Sequence, residues 1–294
     1  MDFYQLTYFR KAALTKSISR AAEELLVTQP AVSKQIKALE EELGERLFDR
    51  IGKRIYLTKA GEVLLARAEK ILRSVQEAKT AVRDISEVCS GELLVGTSDH
   101  ISIHRLPEVL KTYITSFPSV DLRLHCHRSE TILEMVGSNL LDLGVITLPK
   151  TPPTMVAKVV WQDPMSLVLP KGHALEGMKT IGLKDLVRHP MILPEGGTTT
   201  RKMIDTAFSR KKLQPNVAME IAYIETIKGL VKAGLGISIL PDKAVEQELR
   251  SGDLIKRQVA DARFSRELGL VYLKDKFLSR PAAEFIRLLG TDRS

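Results

Sequence analysis

The chain has 294 residues, which is too long for one typical hydrophobic core and indicates two or three domains. Hydrophobic residues make up 44% of it and charged residues 27%, a globular composition that argues against a disordered or membrane-embedded protein. The N-terminus has no basic-then-apolar secretion signal, and no apolar run is long enough to span a bilayer, so we expect a cytoplasmic protein without a membrane partner. Cys89 and Cys126 are too few and too differently placed for a disulfide scaffold.

The net charge of +8 permits a polyanionic partner but does not locate its binding site. Residues 1–90 carry 16 Lys/Arg against 13 Asp/Glu, and residues 91–294 carry 28 against 23, so the basic charge is spread over the chain. The stretch from Arg46 to Lys59 is more informative, because it holds five basic residues and one acidic residue.

Three short helices are predicted in the first 44 residues. In the first, over residues 4–14, apolar residues recur at spacings of three and four. The second begins after Ser17, a favourable N-cap, and extends to Leu26, with two alanines that allow a close helix crossing. The third begins after Thr28 and ends at Gly44, and its apolar stripe is predicted to be buried: Val32, Ile36, Leu39 and Leu43.

The opposite face of the third helix is polar, which is typical of a recognition helix that enters the major groove of DNA. Gln29 is suited to a base edge and Lys34 to a guanine or a phosphate. Residues 47–58 alternate around a turn and predict a β-hairpin wing. A small bundle with a basic hairpin that contacts only proteins is the alternative. The predicted DNA-binding residues are Thr28, Gln29, Pro30, Ser33, Lys34, Lys37, Arg50, Lys53 and Arg54.

A single long helix is predicted from Thr58 to about Cys89. Thr58 resembles an N-cap, although Gly61 stands where a capping box has Glu. The apolar residues alternate spacings of four and three: Leu64, Ala68, Ile71, Val75, Ala78, Val82 and Ile85. About thirty helical residues rise about 45 Å, which is too long to be buried on one small domain. We therefore expect a homodimer through this helix, and a helix packed on its own domain is the alternative.

Beyond Gly91 the pattern changes to alternating strands and helices. Strands are predicted at GELLVGTS, VDLRLHCH and DLGVIT, then at MVAKVV and MSLVLP, and a second set follows with PMIL, VAMEI and GISIL. The last strand, ELGLVYL, and the helix at 279–290 are expected to return to the first set. Two α/β lobes joined by crossing segments leave a cleft, and ligands of such folds lie beyond the carboxyl ends of the strands.

The whole chain resembles the LysR-type transcriptional regulators of bacteria. The resemblance rests on residues 17–50 (SISRAAEELLVTQPAVSKQIKALEEELGERLFDR), on IYLTKAGE (55–62), on LLDLGVI (140–146) and on AGLGISILP (233–241). It implies a multidomain α+β and α/β protein with a winged helix-turn-helix (1–58), a linker helix (59–90) and a two-lobed, periplasmic-binding-protein-like effector domain (91–294). Lobe I would span about 91–160 and 267–294, and lobe II about 161–266.

The resemblance also implies a homotetramer that activates or represses a neighbouring promoter, with RNA polymerase as a partner, when a small co-inducer occupies the cleft. No other cofactor is expected. Hydroxyl groups and helix N-termini at the strand ends favour an anionic effector. The predicted effector-binding residues are Thr97, Ser98, His100, Ser102, Ser129, Thr147, Thr198, Thr199, Tyr223 and Thr226.

Three alternative interpretations of the sequence are a metal-binding site, an enzyme and a purely architectural DNA-binding protein. His100 and His104, with His125 and His127, would form a metal site if they converged, although pocket or surface roles are favoured and no metal is predicted. Cys126, between two of these histidines, is expected to face the core. An enzyme is disfavoured because no nucleophile, nucleotide or metal motif occurs, and a purely architectural DNA-binding protein would not need some 200 further residues.

Overall fold

The computed structural model describes residues 1–51, 54–83 and 89–291. By its internal contacts the chain divides into two compact units, residues 1–86 and 87–294. The N-terminal unit contains α1 (Phe3–Thr15), α2 (Ile18–Glu24), α3 (Gln29–Leu43), β1 (Phe48–Ile51), β2 (Arg54–Leu57) and α4 (Lys59–Arg83). Strands β1 and β2 pair antiparallel with Phe48 opposite Leu57, so the predicted hairpin is present.

The helix ends of this unit follow from local hydrogen bonds. The Ser17 and Thr28 hydroxyls accept from the backbone N–H groups of Arg20 and Ala31, which confirms both predicted N-caps. Gly44 ends α3 in the left-handed region with φ 70°. Capping residues act within one turn, which is why they are recognisable in the sequence.

Two details of the predicted apolar stripes are wrong. Helix α2 ends at Glu24, because Leu26 adopts φ 56° and donates to the Glu23 carbonyl while Val27 donates to the Ala22 carbonyl. Leu26 is consequently 93% exposed. Leu43, in the last turn of α3, is 41% exposed because the chain turns away at Gly44, whereas the other three stripe residues are buried.

The first turns of α4 pack on the core formed by α1, α2, α3 and the hairpin. Ala68 is fully buried there, and Leu64 and Leu72 pack against the same cluster. Further along the predicted seam, Ile71 is 42% exposed, Val75 is half-buried and Ala78 is exposed. Ile85 and the side chain of Val82 lie outside the described residues. The first half of the seam therefore stabilises its own unit, and the second half carries apolar surface.

The second unit is an α/β structure. Its elements are β3 (Gly91–Thr97), α5 (Asp99–His104), α6 (Pro107–Ser116), β4 (Val120–Cys126), α7 (Ser129–Gly137), β5 (Leu143–Thr147), β6 (Met155–Pro170), α8 (Leu183–Leu186), β7 (Met191–Pro194), α9 (Thr199–Arg210), β8 (Val217–Ile221), α10 (Ile224–Lys232), β9 (Ser238–Pro241), α11 (Glu246–Ser251), β10 (Leu254–Arg257), β11 (Phe264–Leu273) and α12 (Arg280–Thr291). Between β9 and α11 lies one 3₁₀ turn, Asp242–Val245.

Strands β6 and β11 connect two lobes. The described strands form a sheet in the order β10-β6-β11-β5-β3-β4, with β9 also on β6, and a separate β7-β8 pair. One core surrounds β3, β5 and α12 and includes Trp161 of β6; the other surrounds β7 and α9 and includes Met165. The change of lobe therefore occurs within β6, between Trp161 and Met165. The two strands predicted at MVAKVV and MSLVLP are one continuous strand.

Candidate functional site

The polar face of α3 is mostly exposed in the part of its unit that the structure describes. Thr28, Gln29, Pro30, Lys34 and Lys37 are exposed, and Ser33 is half-buried. The Gln29 amide donates to the Ser33 hydroxyl at 2.9 Å, and Lys37 lies 3.5 Å from Glu41. Lys34 thus projects from the face opposite the buried stripe, as the sequence predicted.

Two of the predicted wing residues belong to the hairpin strands: Arg50 of β1 pairs with Ile55, and Arg54 of β2 pairs with Ile51. Their side chains, and the whole of Lys53, lie outside the described residues. The hairpin is anchored near its base, where the Glu40 carboxylate accepts from the backbone N–H groups of Leu47 and Phe48. The wing therefore has a fixed attachment to α3.

A cavity of about 610 Å³ opens between the two lobes of the second unit. That volume suits a small metabolite. Strands β4, β5 and β7 end at its wall, and the N-termini of α7, α9 and α10 point into the same region. The predicted residues that line it are Ser98, His100, Ser129, Thr147, Thr198, Thr199 and Tyr223.

Three predicted effector residues do not line this cavity. Thr97, the last residue of β3, is fully buried. Ser102 lies on α5 and donates to the Asp99 carbonyl at 2.6 Å. Thr226 is exposed on α10, beyond the turn that reaches the cavity.

A buried polar network forms the floor of the cavity. Arg266 of β11 lies directly opposite Asp163 of β6 in the strand register, and its Nε donates to the carboxylate at 3.1 Å. The Arg266 guanidinium also contacts the Thr200 hydroxyl and His100 Nε2, each at 2.8 Å. Arg105 approaches the second oxygen of Asp163 at 3.3 Å. All of these side chains are at least nine-tenths buried.

His100 is neutral in this environment. Burial holds the pKa of His100 well below its usual value of 6.5, and the positive charges of Arg266, His104 and Arg105 lower that pKa further. The short helix α5, which the sequence reading missed, places His100 in the floor and His104 against Glu225. The sequence does indicate His100, but not that a guanidinium is its partner.

Polar contacts also cross the cleft. Arg128 donates to Glu195 at 3.0 Å, the Thr199 hydroxyl lies 3.5 Å from Glu130, and His104 lies 2.8 Å from Glu225. The residues in each pair belong to different lobes. The cleft geometry described here is therefore held by hydrogen bonds and ion pairs that a change in lobe spacing would break.

The sequence reading placed Cys126 in the core, and this is wrong. Strand β4 is at the edge of the sheet, and Cys126, its last residue, is exposed and lines the cavity. Neither cysteine forms a disulfide.

Among the described residues, no group of three His, Cys, Asp or Glu side chains could hold a metal ion. Over those same residues, no helix has the length and apolarity needed to cross a membrane.

The chain was compared with known families and proteins. Residues 3–62 match the family described as bacterial regulatory helix-turn-helix protein, lysR family, and residues 87–293 match the LysR substrate binding domain. A probable RuBisCO transcriptional regulator of Nostoc sp. is 32% identical over 287 residues, covering 96% of this chain and 85% of that protein. The transcriptional activator CmpR of Synechocystis sp. is 32% identical over 286 residues, covering 97% and 94%.

Solved structures show the same fold over the full length. The LysR family regulator CbnR is 23% identical, covers 100% of both chains and superposes with a TM-score of 0.74. Full-length OxyR from Pseudomonas aeruginosa is 25% identical, covers 99% of this chain and 94% of its own, and has a TM-score of 0.73. The matching families and relatives are transcription regulators, and none is an enzyme.

Proposed function

Because this chain belongs to the LysR family of DNA-binding transcriptional regulators, with an effector-binding domain in its second unit, we propose that a small anionic effector in the interlobe cleft controls its action at a promoter. The observation that carries the proposal is the convergence of hydroxyl groups, three helix N-termini and Arg266 on one cavity of about 610 Å³. Helix N-termini and hydroxyl donors favour negatively charged ligands.

We assign DNA binding to the exposed face of α3 and to the wing. Gln29 and Lys34 have the reach and chemistry for base edges, while Ser33 and Lys37 suit phosphates. The proposed contacts are Thr28, Gln29, Pro30, Ser33, Lys34, Lys37, Arg50, Lys53 and Arg54.

The proposed assembly is a homodimer through the linker helix and, from two dimers, a homotetramer that acts with RNA polymerase in the cytoplasm. Ile71 and Ala78 of α4 are exposed and Val75 is half-buried, which supports a partner for that part of the helix. We retain the functional boundaries 1–58, 59–90 and 91–294, with β6 and β11 crossing between the lobes.

The proposed mechanism is a shift between two arrangements of the lobes. An effector that binds one arrangement more tightly increases its population, and only that difference in affinity drives the change. The pairs Arg128–Glu195, Thr199–Glu130 and His104–Glu225 would be made in one arrangement and broken in the other. The tetramer would transmit the change as a new spacing of its DNA-binding helices.

Footprinting of the full-length protein on DNA tests the proposal. Several relatives are named as RuBisCO regulators, so a RuBisCO promoter is a suitable first DNA beside the promoter next to the protein's own gene. We expect small anions to change the footprint. Ser98→Ala and Thr199→Ala should raise the effective concentration roughly ten-fold, because each loses a hydrogen bond to a charged group.

Thr226→Ala is the matched control, since it removes a hydroxyl from the same domain outside the cavity. Normal responses in both cleft variants would remove Ser98 and Thr199 from the site. A footprint that no metabolite alters would favour a purely architectural DNA-binding protein.

A further inference from the structure

The turn between α2 and α3 has a backbone geometry that favours glycine, yet leucine occupies it. The Leu26 N–H donates to the Glu23 carbonyl at 3.1 Å and the Val27 N–H donates to the Ala22 carbonyl at 3.0 Å, which is the hydrogen-bond pattern of a Schellman motif. That motif places Leu26 in the left-handed region, at φ 56°. Glycine is the usual residue there because a Cβ is disfavoured at positive φ. Leucine at position 26 therefore strains the backbone.

Other helices of the chain end with the same motif but with different residues. The same pair of hydrogen bonds, from the left-handed residue and from the residue after it, ends α7, α9, α10 and α11. The left-handed residues of these four helix ends are Asn139, Lys212, Gly234 and Gly252. Glycine and asparagine tolerate this region, and the lysine is exposed. Among the residues that the structure describes, Leu26 is the only one at positive φ with an apolar side chain.

The Leu26 side chain is also outside the core of its unit. It is 93% exposed, more than any other large apolar side chain in the described part of the chain, whereas its neighbour Val27 packs against the core. A leucine stabilises a protein mainly through the apolar surface that it removes from water. Leu26 therefore gains neither backbone energy nor packing energy in the free unit, and it would gain packing energy only when another surface covers it.

The position of Leu26 beside α3 indicates which surface that is. Leu26 precedes the N-cap Thr28 by two residues, so the two Cα atoms lie within about 7 Å of each other. In a helix-turn-helix, the N-terminal residues of the second helix contact base edges in the major groove of DNA. Gln29, the first residue of α3, is exposed at this end. The apolar groups that DNA offers there are the thymine C5-methyl group and the deoxyribose carbons of the adjacent strand.

We propose that Leu26 is a DNA-contacting residue that packs against apolar surface of the operator, where the N-terminal end of α3 enters the major groove. This inference rests on the proposed DNA-binding face and extends it from α3 into the turn before it. A thymine methyl group would make the contact sequence-specific, whereas a deoxyribose would not, because every nucleotide carries one. The strain in this turn thus serves binding rather than stability.

Substitution of Leu26 should change stability and DNA affinity in opposite directions. Leu26→Gly relieves the backbone strain and should raise the thermal midpoint of the N-terminal unit by roughly 4 °C, measured by circular dichroism of the full-length protein. It should weaken binding to a duplex that spans the promoter next to the protein's own gene roughly ten-fold, because an apolar contact is lost. Leu26→Asn should also weaken binding, which excludes the flexibility of glycine as the cause.

Two control variants separate the side chain from the backbone geometry. Leu26→Met keeps the apolar surface and should bind DNA within about two- to three-fold of the unmodified protein. Lys212→Gly is the matched control, because it replaces the left-handed residue of the same motif at the end of α9. It should stabilise the second unit and leave DNA affinity unchanged.

Salt dependence and modified DNA identify the surface that Leu26 contacts. The slope of log K against log [salt] should be unchanged in Leu26→Asn, because no phosphate contact is lost, whereas Lys34→Ala should reduce it by about one. Replacing thymines of the duplex with deoxyuridine removes only the methyl groups. A thymine contact predicts that this replacement weakens the unmodified protein more than Leu26→Asn, and a deoxyribose contact predicts equal effects on the two proteins.

The inference is overturned if Leu26→Gly and Leu26→Asn bind the duplex as the unmodified protein does while Lys34→Ala binds more weakly. It is also overturned if the Leu26 variants change the oligomeric state in analytical ultracentrifugation, because Leu26 would then pack against a second copy of the chain. Unchanged binding in Lys34→Ala as well would instead refute the proposed DNA-binding face, and this inference with it.

Discussion

His100 links the chemistry of the cleft to the stability of the second unit. It is 8% exposed, lies between Ser98 and Arg266, and is held neutral by burial and by neighbouring positive charge, which depress its pKa. The imidazole is therefore a hydrogen-bond relay between a guanidinium and a hydroxyl rather than a cation that contacts the ligand.

We expect the second unit to lose stability as the pH falls below about 6.5. The folded-state pKa of His100 lies below its unfolded value, so the unfolded chain binds the additional proton and the free energy of unfolding decreases over that window. His100→Gln should reduce this pH dependence. Urea unfolding between pH 5 and 7.5, followed by the fluorescence of Trp161, the only tryptophan, measures it.

His173→Gln is the comparison variant. Burial and the nearby His189 also lower the pKa of His173, but less far. Its substitution should flatten the pH dependence less than that of His100. An unchanged pH profile in His100→Gln would show that the buried imidazole is not the titrating group.

Single residues also show what the sequence could predict of the cleft. Hydroxyls at strand ends were predictable because strand ends and helix starts are local signals, and seven of the ten predicted residues line the cavity. Arg266 was not predictable. Its role depends on lying opposite Asp163, 103 residues earlier, and strand pairing at that separation has no local sequence signal.

At the scale of elements, the start of α4 explains why position 61 is glycine. Thr58 accepts from the Gly61 N–H at 3.0 Å and donates to the Arg46 carbonyl. A Cβ at position 61 would lie 2.2 Å from the Leu47 carbonyl oxygen and 2.9 Å from Leu57. The helix can therefore dock on the hairpin only with glycine there, and a capping-box glutamate is excluded.

Gly61→Ala should destabilise the N-terminal unit by about 1–3 kcal/mol, because the clash with backbone outweighs the gain of about 1 kcal/mol in helix propensity. Urea unfolding followed by circular dichroism measures this. Gly229→Ala, on α10, is the matched control: its Cβ would meet no atom within 4 Å, so we expect slight stabilisation. Equal effects of the two substitutions would contradict the proposed close contact.

The elements that the sequence reading missed depend on tertiary contacts. Strand β6 looked like two strands because Pro164 interrupts its pattern, yet it pairs with β11 on both sides of that proline. Strand β10 and helix α11 lack strong periodicity, and β10 is held as an edge strand by β6. Their existence depends on a neighbour that is distant in the chain.

At the scale of the whole molecule, the fold class was predictable because each unit has its own pattern: helical periodicity and caps before residue 60, and strand–helix alternation after residue 91. The order of the strands was not predictable, because β11 inserts between β5 and β6. This insertion brings Arg266 beneath the cleft. The proposed effector site is therefore a product of topology as much as of residue type.

In the proposed mechanism, an effector in the cleft would change how the proposed recognition face of α3 meets DNA. The most direct test is the affinity of the full-length protein for promoter DNA as a function of salt concentration. Lys34→Ala should weaken binding and reduce the slope of log K against log [salt] by about one, whereas Lys184→Ala, which removes the same charge from an exposed position of the second unit, should change neither. Affinity and slope unchanged in Lys34→Ala would contradict DNA recognition through this face.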